Sequence, residues 1–123
     1  MHIDTNNLEK PIFLQIAEGI EEAILSGAFP EESQIPSMNE FSAQYRINPA
    51  TALKGMNLLT EAGILYKKRG LGMFVAQGAV EKLMERRRER FYESYIAEMV
   101  EEARRLQISR EEIEQMVKEG FEK

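Results

Sequence analysis

The sequence predicts a mainly α-helical fold with one small β-hairpin, an α+β arrangement. Isoleucines recur at every fourth residue from Ile12 to Ile24, which is the spacing of a helix that buries one face. Three-and-four spacing of apolar residues returns over the last third of the chain. Between these stretches, residues 69–72 contain two glycines and separate two short apolar runs, the pattern of a tight hairpin.

Composition limits the classes of function. With 43% hydrophobic and 30% charged residues, the 123-residue chain resembles a globular protein with one core of ordinary size. It has neither an apolar run of about 20 residues nor a signal-peptide pattern, so we expect a cytoplasmic protein that does not enter membranes. The chain has no cysteine, and its one histidine is His2. We therefore expect no disulfide, metal or cofactor, and no catalytic nucleophile–base pair that would make it an enzyme.

The first helix is predicted to begin at Pro11, because proline is tolerated at the first helical position, and to end at Gly27. Ser37 opens a short second helix, since Glu40 three residues later completes a capping box. This helix is predicted to end near Tyr45.

A third helix follows directly after a turn at residues 46–48. Asn48 is its predicted N-cap, Pro49 its first residue and Gly63 its end. A short capped helix, a tight turn and a helix with a small, polar start together predict a helix-turn-helix unit. The inward stripe of the third helix is predicted to be Ala52, Gly55, Met56 and Leu59, and its outward side Ala50, Thr51, Leu53, Lys54 and Asn57.

The predicted hairpin pairs residues 64–68 with residues 73–76, and Gln34 with Ile35 can add a very short strand. Gly70 and Gly72 supply the positive φ angles that a tight hairpin requires. A basic hairpin placed directly after a helix-turn-helix predicts a winged helix-turn-helix domain in residues 1–77.

Residues 78–123 read as a two-helix arm, the second helix capped by Ser109 with Glu112. The apolar stripe of this arm is too long to be buried within one protomer, so we expect a homodimerisation region. The charged run at 85–90 is interpreted as a solvated or inter-subunit face, because its arginines alternate with glutamates. The predicted interface residues are Val80, Met84, Phe91, Tyr95, Met99 and Leu106.

The charge distribution points to double-stranded DNA as the partner. The net charge is −5, but residues 46–76 contain five basic side chains against one glutamate, a local charge of +4. A phosphate backbone responds to the charge within a Debye length of about 8–10 Å, so the positive block predicts the DNA surface. Ala50, Thr51 and Lys54 are predicted to face bases, Ser37, Asn48, Lys67 and Lys68 to face the DNA backbone, and Arg69, Gly70 and the slim tip formed with Gly72 to enter a minor groove.

Two other classes remain open at this point. A winged-helix scaffold can serve as a protein–protein adaptor, although the +4 block argues against that use. The aromatic residues of the C-terminal helices can also line the pocket of a ligand sensor. A nucleotide-binding loop at Gly70 and Gly72 is disfavoured, because no strand-then-helix order surrounds it.

The motifs resemble those of the GntR family of bacterial transcription regulators, and within it the short YtrA-like subfamily. The resemblance implies a homodimeric winged-helix factor, often a repressor of its own operon, commonly one that encodes an ABC-type transporter; any small-molecule effector is unknown. Gly55 stands where the family has alanine, which implies a less stable middle of the third helix. The matching segments are Pro11–Ile16, Ile35–Ser37, Ile47–Thr51 with Lys54, and Gly70–Val75, and further departures are Met38, Asn39, Ala52, Leu53 and Met73.

Overall fold

The computed structural model describes residues 2–6 and 9–123. Contacts divide the chain into two compact units, Met1–Met84 and Glu85–Lys123. The predicted division into domains 1–77 and 78–123 stays a prediction. In chain order the elements are α1 Ile12–Leu25, α2 Met38–Tyr45, α3 Pro49–Glu61, β1 Leu65–Lys68, β2 Gly72–Val75, α4 Ala79–Phe91, a π-helical turn Tyr92–Ile96, α5 Ala97–Arg105 and α6 Arg110–Glu122.

The first unit has the predicted helices and hairpin around one apolar core. Side chains from α1, α2, α3 and both strands are fully enclosed there, together with Ala79 and Leu83 of α4. The mainly α fold with a small two-stranded wing is therefore confirmed. The largest enclosed side chains are Phe41, Ile16, Ile20, Ile24, Met56, Ile64, Leu65, Leu83 and Val75.

Local capping positions the helix-turn-helix as predicted. The Ser37 hydroxyl accepts from the Glu40 N–H at 3.1 Å, and the Glu40 carboxylate accepts from the Ser37 N–H at 3.1 Å. Asn48 caps α3 by accepting from the Ala50 N–H at 2.8 Å. Between the helices, Arg46 takes a left-handed conformation with φ 54°, which is uncommon outside glycine. This turn redirects the chain within three residues.

The crossing of α1 and α3 depends on Gly55. A Cβ atom at this position would lie 2.6 Å from the backbone oxygen of Phe13 and 3.1 Å from the Cβ of Ile16. The backbones of the two helices therefore approach more closely than any side chain at residue 55 allows. Gly55 sets how near α3 lies to α1.

The wing is broader than the predicted hairpin. Leu65 pairs with Val75 at its base and Lys68 with Gly72 at its tip. The segment before α2 runs along the other edge of β2: Gln34 forms a β-bridge with Phe74, and the Ile35 N–H donates to the Met73 carbonyl at 2.9 Å. The predicted short strand is thus a bridge that ties the start of α2 to the wing.

Glu31 anchors the start of α4 from a distant part of the chain. Its carboxylate accepts from the Gly78 N–H at 2.8 Å and from the Val80 N–H at 3.0 Å. First the Gly78 bond and then the Val80 bond hold the pKa of this carboxyl below its ordinary value. A negative group at a helix N-terminus also interacts favourably with the helix dipole.

Glu31→Gln is expected to lower the Tm of the protein at pH 7, because the amide offers a single acceptor oxygen and no charge. The contribution of a carboxyl with a lowered pKa is present above its ordinary pKa, near 4.5, and is lost as pH falls through the lower folded value. The Tm difference between the two proteins should therefore shrink as the pH falls below about 4.5. Thermal unfolding followed by circular dichroism from pH 7 to pH 3 measures this. Glu61→Gln, at an exposed carboxylate, is the control, and an equal loss in both variants would contradict the role of Glu31.

The second unit is helical. Ser109 and Glu112 form the predicted capping box of α6, with bonds of 3.1 and 3.2 Å. Between the helices Gln107 has φ 57° and ends α5. The single predicted helix after Gly78 is interrupted by the π-helical turn at Tyr92–Ile96. Within the described residues, no helix is long and apolar enough to cross a membrane.

Candidate nucleic-acid interface

The exposed face of α3 is opposite its buried stripe. Ala52, Gly55, Met56 and Leu59 are buried, as predicted. Thr51 is half-buried at the edge of the exposed face, so its side chain is less open than the sequence pattern indicated. The exposed face includes Ala50, Leu53, Lys54 and Asn57, which are three or four positions apart except for the adjacent pair Leu53 and Lys54.

This face offers a mixed set of contacts to a DNA groove. Leu53 is 41% exposed and, with the methyl group of Ala50, provides apolar surface of the kind that contacts a thymine methyl. Asn57 carries an amide that can bond to adenine, and Lys54 is the one cationic side chain of α3. The sequence pattern placed Asn57 and Leu53 outward but did not single them out as base contacts, because Leu53 departs from the family motif and Asn57 lies outside it.

The predicted backbone contacts Ser37 and Asn48 both act as helix caps. Their oxygen atoms accept hydrogen bonds from Glu40 and Ala50, respectively. The Ser37 hydroxyl proton and the Asn48 amide protons are donors that these caps do not use. Both residues therefore combine a structural role with a donor suited to a phosphate oxygen.

The three basic residues of the wing are all exposed, but they do not share one face. Side chains alternate along a strand, so Lys67 lies on the face of buried Leu65 and Lys68 on the opposite face. The Lys68 ammonium lies 4.4 Å from the centroid of the Phe74 ring and 5.8 Å from that of Tyr66. The Phe74 and Tyr66 rings thus hold the Lys68 ammonium on that face.

Tyr66 is itself held by a hydrogen bond. Its hydroxyl donates to the Glu32 carboxylate at 2.8 Å, and its ring stacks on Phe74 with centroids 5.9 Å apart. The bond to Glu32, followed by partial burial, raises the pKa of Tyr66 above its ordinary value of 10.0. The phenol therefore stays neutral at physiological pH and can keep donating to Glu32.

The wing tip is fixed by glycine conformations and by Gln34. Gly70 and Gly72 have φ 80° and 125°, in the region that side chains disfavour. The Gln34 side-chain amide donates to the Leu71 carbonyl at 2.5 Å, and it would also collide with a Cβ at Gly72. Leu71, between these two glycines, is 63% exposed. No local sequence pattern indicates the bond from Gln34 to Leu71, because its partners are 37 positions apart.

The residues predicted to form a dimer interface differ in exposure. Val80 is half-buried against the core of the first unit. In the second unit, Tyr95 is 65% and Leu106 61% exposed, and the Phe91 and Tyr95 rings lie 5.4 Å apart. Of the remaining two, Met84 is exposed and Met99 half-buried.

The second unit also has an open depression along the π-helical turn and α5. Its lining is mainly polar and includes Glu98, Glu102 and Arg105 beside Tyr95. This arrangement gives little support to an enclosed pocket for an apolar ligand. Among the described residues, no three acidic or histidine side chains are grouped as metal ligands.

The segment from α1 through the wing is similar in sequence to known proteins. Residues 13–75, which span α1 through the wing, match the model of the family described as "Bacterial regulatory proteins, gntR family". The HTH-type transcriptional regulator YhcF of Bacillus subtilis (strain 168) is 30% identical over 94 residues, covering 75% of this chain and 78% of YhcF.

Three solved structures are also similar. A putative GntR-family regulator from Bacteroides thetaiotaomicron has a TM-score of 0.73 and 35% identity, covering 90% of this chain and 96% of that one. YtrA from Sulfolobus acidocaldarius, described as a GntR-family transcription factor, has a TM-score of 0.57 and 25% identity, covering 69% and 93%. The AraR DNA-binding domain in complex with operator ORR3 has a TM-score of 0.51 and 33% identity, covering 52% and 77%.

Proposed function

Because the chain belongs to the gntR family of bacterial regulatory proteins, we propose that it binds a palindromic DNA operator as a homodimer and represses transcription. The resemblance to this family and its YtrA-like members, noted in the sequence, is confirmed. One observation carries the proposal: an exposed helix face and a basic wing follow one another in the part of the chain with a charge of +4. The adaptor alternative would require an acidic or apolar exposed face on α3, and the charge of +4 carried by residues 46–76 argues against it.

In the proposed complex the N-terminal part of α3 enters the major groove. Ala50 and Thr51 contact base edges and Lys54 reaches a guanine edge or a phosphate, while Ser37, Asn48, Lys67 and Lys68 bind the DNA backbone. Arg69 with Gly70 and Gly72 follows the minor groove. The AraR domain bound to its operator supports a DNA complex of this general kind.

Dimerisation is proposed to use the apolar side chains of the helices after the wing. Large apolar side chains such as Phe91, Tyr95 and Leu106 are more than half exposed in the single chain. Burial of one such side chain contributes about 1.5–3 kcal/mol, so a two-fold contact that repeats them on both protomers favours association. Two linked domains would then occupy half-sites about one helical turn apart. The regulated genes are proposed to be the protein's own operon, with an ABC-type transporter.

Selection of bound duplexes from a random pool tests this proposal. We expect a palindromic motif whose half-site spacing matches two copies of the chain, and sedimentation of the free protein should give a dimer. A monomer in sedimentation, together with no duplex recovered at low ionic strength, would overturn the proposal.

Thr51→Val is expected to change sequence preference. The substitution keeps the shape of the side chain and removes its hydroxyl, so discrimination at one position of each half-site should fall by about 1 kcal/mol. The dependence of affinity on salt should be unchanged, because the phosphate contacts are unaffected. Repeating the duplex selection with the variant measures the effect. Thr60→Val is the matched control, because the Thr60 hydroxyl bonds within α3 to the Met56 carbonyl; identical motifs from all three proteins would refute the role of Thr51.

A further inference from the structure

The ammonium group of Lys54 is held by an aromatic ring from another helix. Its Nζ lies 4.0 Å from the centroid of the Phe13 ring, which belongs to the first turn of α1. An ammonium over a ring face is attracted by the negative charge of the π system. The Phe13 side chain is half-buried and Lys54 is exposed, so this contact is at the edge of the exposed face of α3.

The contact depends on how closely the two helices cross. Gly55, the residue after Lys54, would place a Cβ only 2.6 Å from the Phe13 backbone oxygen. Its missing side chain lets the first turn of α1 lie directly against this part of α3. Gly55, which permits the close crossing, and Lys54, which contacts the Phe13 ring there, are thus neighbours in the sequence.

Holding the ammonium matters because a lysine side chain is a flexible stem with a mobile charge. A freely moving lysine bonds to any nearby phosphate, which contributes to affinity for every sequence alike. A lysine held in one direction loses less conformational freedom when it meets a single base edge. Since Lys54 is the only cation of α3, its orientation decides whether this helix contributes a charged base contact.

We propose that Phe13 is a positioning residue for sequence recognition, which holds the Lys54 ammonium so that it reads a purine edge carrying two acceptors, as guanine does. The inference rests on the proposed DNA-binding function. It assigns to α1 a part in specificity, although α1 supplies none of the predicted base contacts.

A double-mutant cycle tests the proposal. The proteins are the wild type, Phe13→Leu, Lys54→Met and the double variant, each measured against the selected duplex and against a duplex of scrambled sequence. Leucine keeps an apolar side chain without a ring face, and methionine keeps most of the lysine stem without its charge. We expect Phe13→Leu to weaken binding of the selected duplex by about two- to five-fold, with a smaller change for the scrambled one.

The coupling between the two residues provides the decisive readout. In the Lys54→Met background, Phe13→Leu should have no further effect. In the protein that keeps Lys54, Phe13→Tyr retains a ring and should therefore discriminate between the two duplexes as the wild type does. A Phe13→Leu effect of equal size with and without Lys54 would overturn the inference, because a purely structural role is independent of the lysine. Stronger binding by Phe13→Leu would also overturn it, because the ring would then withhold the lysine from DNA.

Failure of the inference and failure of the proposed function give different results. If Lys54→Met alone weakens the selected complex but shows no coupling to Phe13, only the positioning role is lost. If the wild type binds neither duplex, the DNA-binding proposal fails as well. Thermal unfolding of all five proteins, Phe13→Tyr included, shows whether each variant remains folded at the temperature of the binding assay.

Discussion

Gly55→Ala is expected to destabilise the first unit by about 1–2 kcal/mol, although alanine is the better helix former. The substitution favours the helix itself by about 1 kcal/mol. Against this, the new Cβ would lie 2.6 Å from the Phe13 backbone oxygen, and a backbone atom cannot move aside as a flexible side chain can. Overpacking of this kind costs about 1–3 kcal/mol and occasionally more. Because the clash is with a backbone atom, we expect the upper part of this range, about 2–3 kcal/mol, which exceeds the gain in helix propensity.

Thermal and urea unfolding measure this effect, with an expected fall in Tm of about 4–8 °C for each kcal/mol lost in a domain of this size. Gly120→Ala is the matched control. Gly120 also lies in a helix, but nothing is within 4 Å of its added Cβ, so that variant should be as stable as the wild type or slightly more stable. A Gly55→Ala protein as stable as the wild type would show that α1 and α3 separate without cost.

Lys67→Ala combined with Lys68→Ala is expected to weaken binding to all DNA sequences and to make it less sensitive to salt. Each lysine that neutralises a phosphate releases about 0.9 counterion, so the slope of log K against log salt should fall by about one unit for each residue and about two for the pair. The sequence motif recovered by selection should stay the same, because phosphate contacts position the protein without reading bases.

Lys67→Ala and Lys68→Ala, measured separately, show which face of the wing contacts DNA. Lys67 and Lys68 point to opposite sides of the hairpin, and Lys68 is also held over the Phe74 ring. Affinity for one duplex, measured at four or more salt concentrations by fluorescence anisotropy, gives the slope for each protein. Lys118→Ala, in α6, removes a lysine outside the proposed DNA surface and should leave the slope unchanged. An unchanged slope in the double variant would remove the wing from that surface.

Local signals made most of the fold predictable. Capping residues such as Ser37 with Glu40, Asn48, and Ser109 with Glu112 act within three residues, so their pattern is visible in the sequence and each is confirmed. The buried stripe of α3 is predictable for the same reason, since helical periodicity determines which residues share a face.

Contacts between distant residues were not predictable. Glu31 meets the start of α4 across 47 and 49 positions, and Gln34 meets the wing tip across 37. No local pattern distinguishes these side chains from solvated ones. For Gly55, the sequence indicated a weak point in α3. In the structure, the glycine instead lets α3 pack closely against α1. The choice of DNA contacts and dimer residues remains a prediction for the experiments above.

The five-residue turn at Tyr92–Ile96 changes how the later apolar residues should be counted. Hydrogen bonds that span five residues accommodate one more residue than an ordinary helical turn, and each residue of an α-helix advances the chain by about 100° around the axis. A relative one residue shorter at this point would form an uninterrupted helix whose downstream residues keep the same faces, because the turn absorbs the extra residue and the rotation of about 100° that it would otherwise cause. Heptad-style counting from Phe91 to Leu106 is therefore out of phase by one position, and alignments across this turn need a gap there to compare equivalent surfaces.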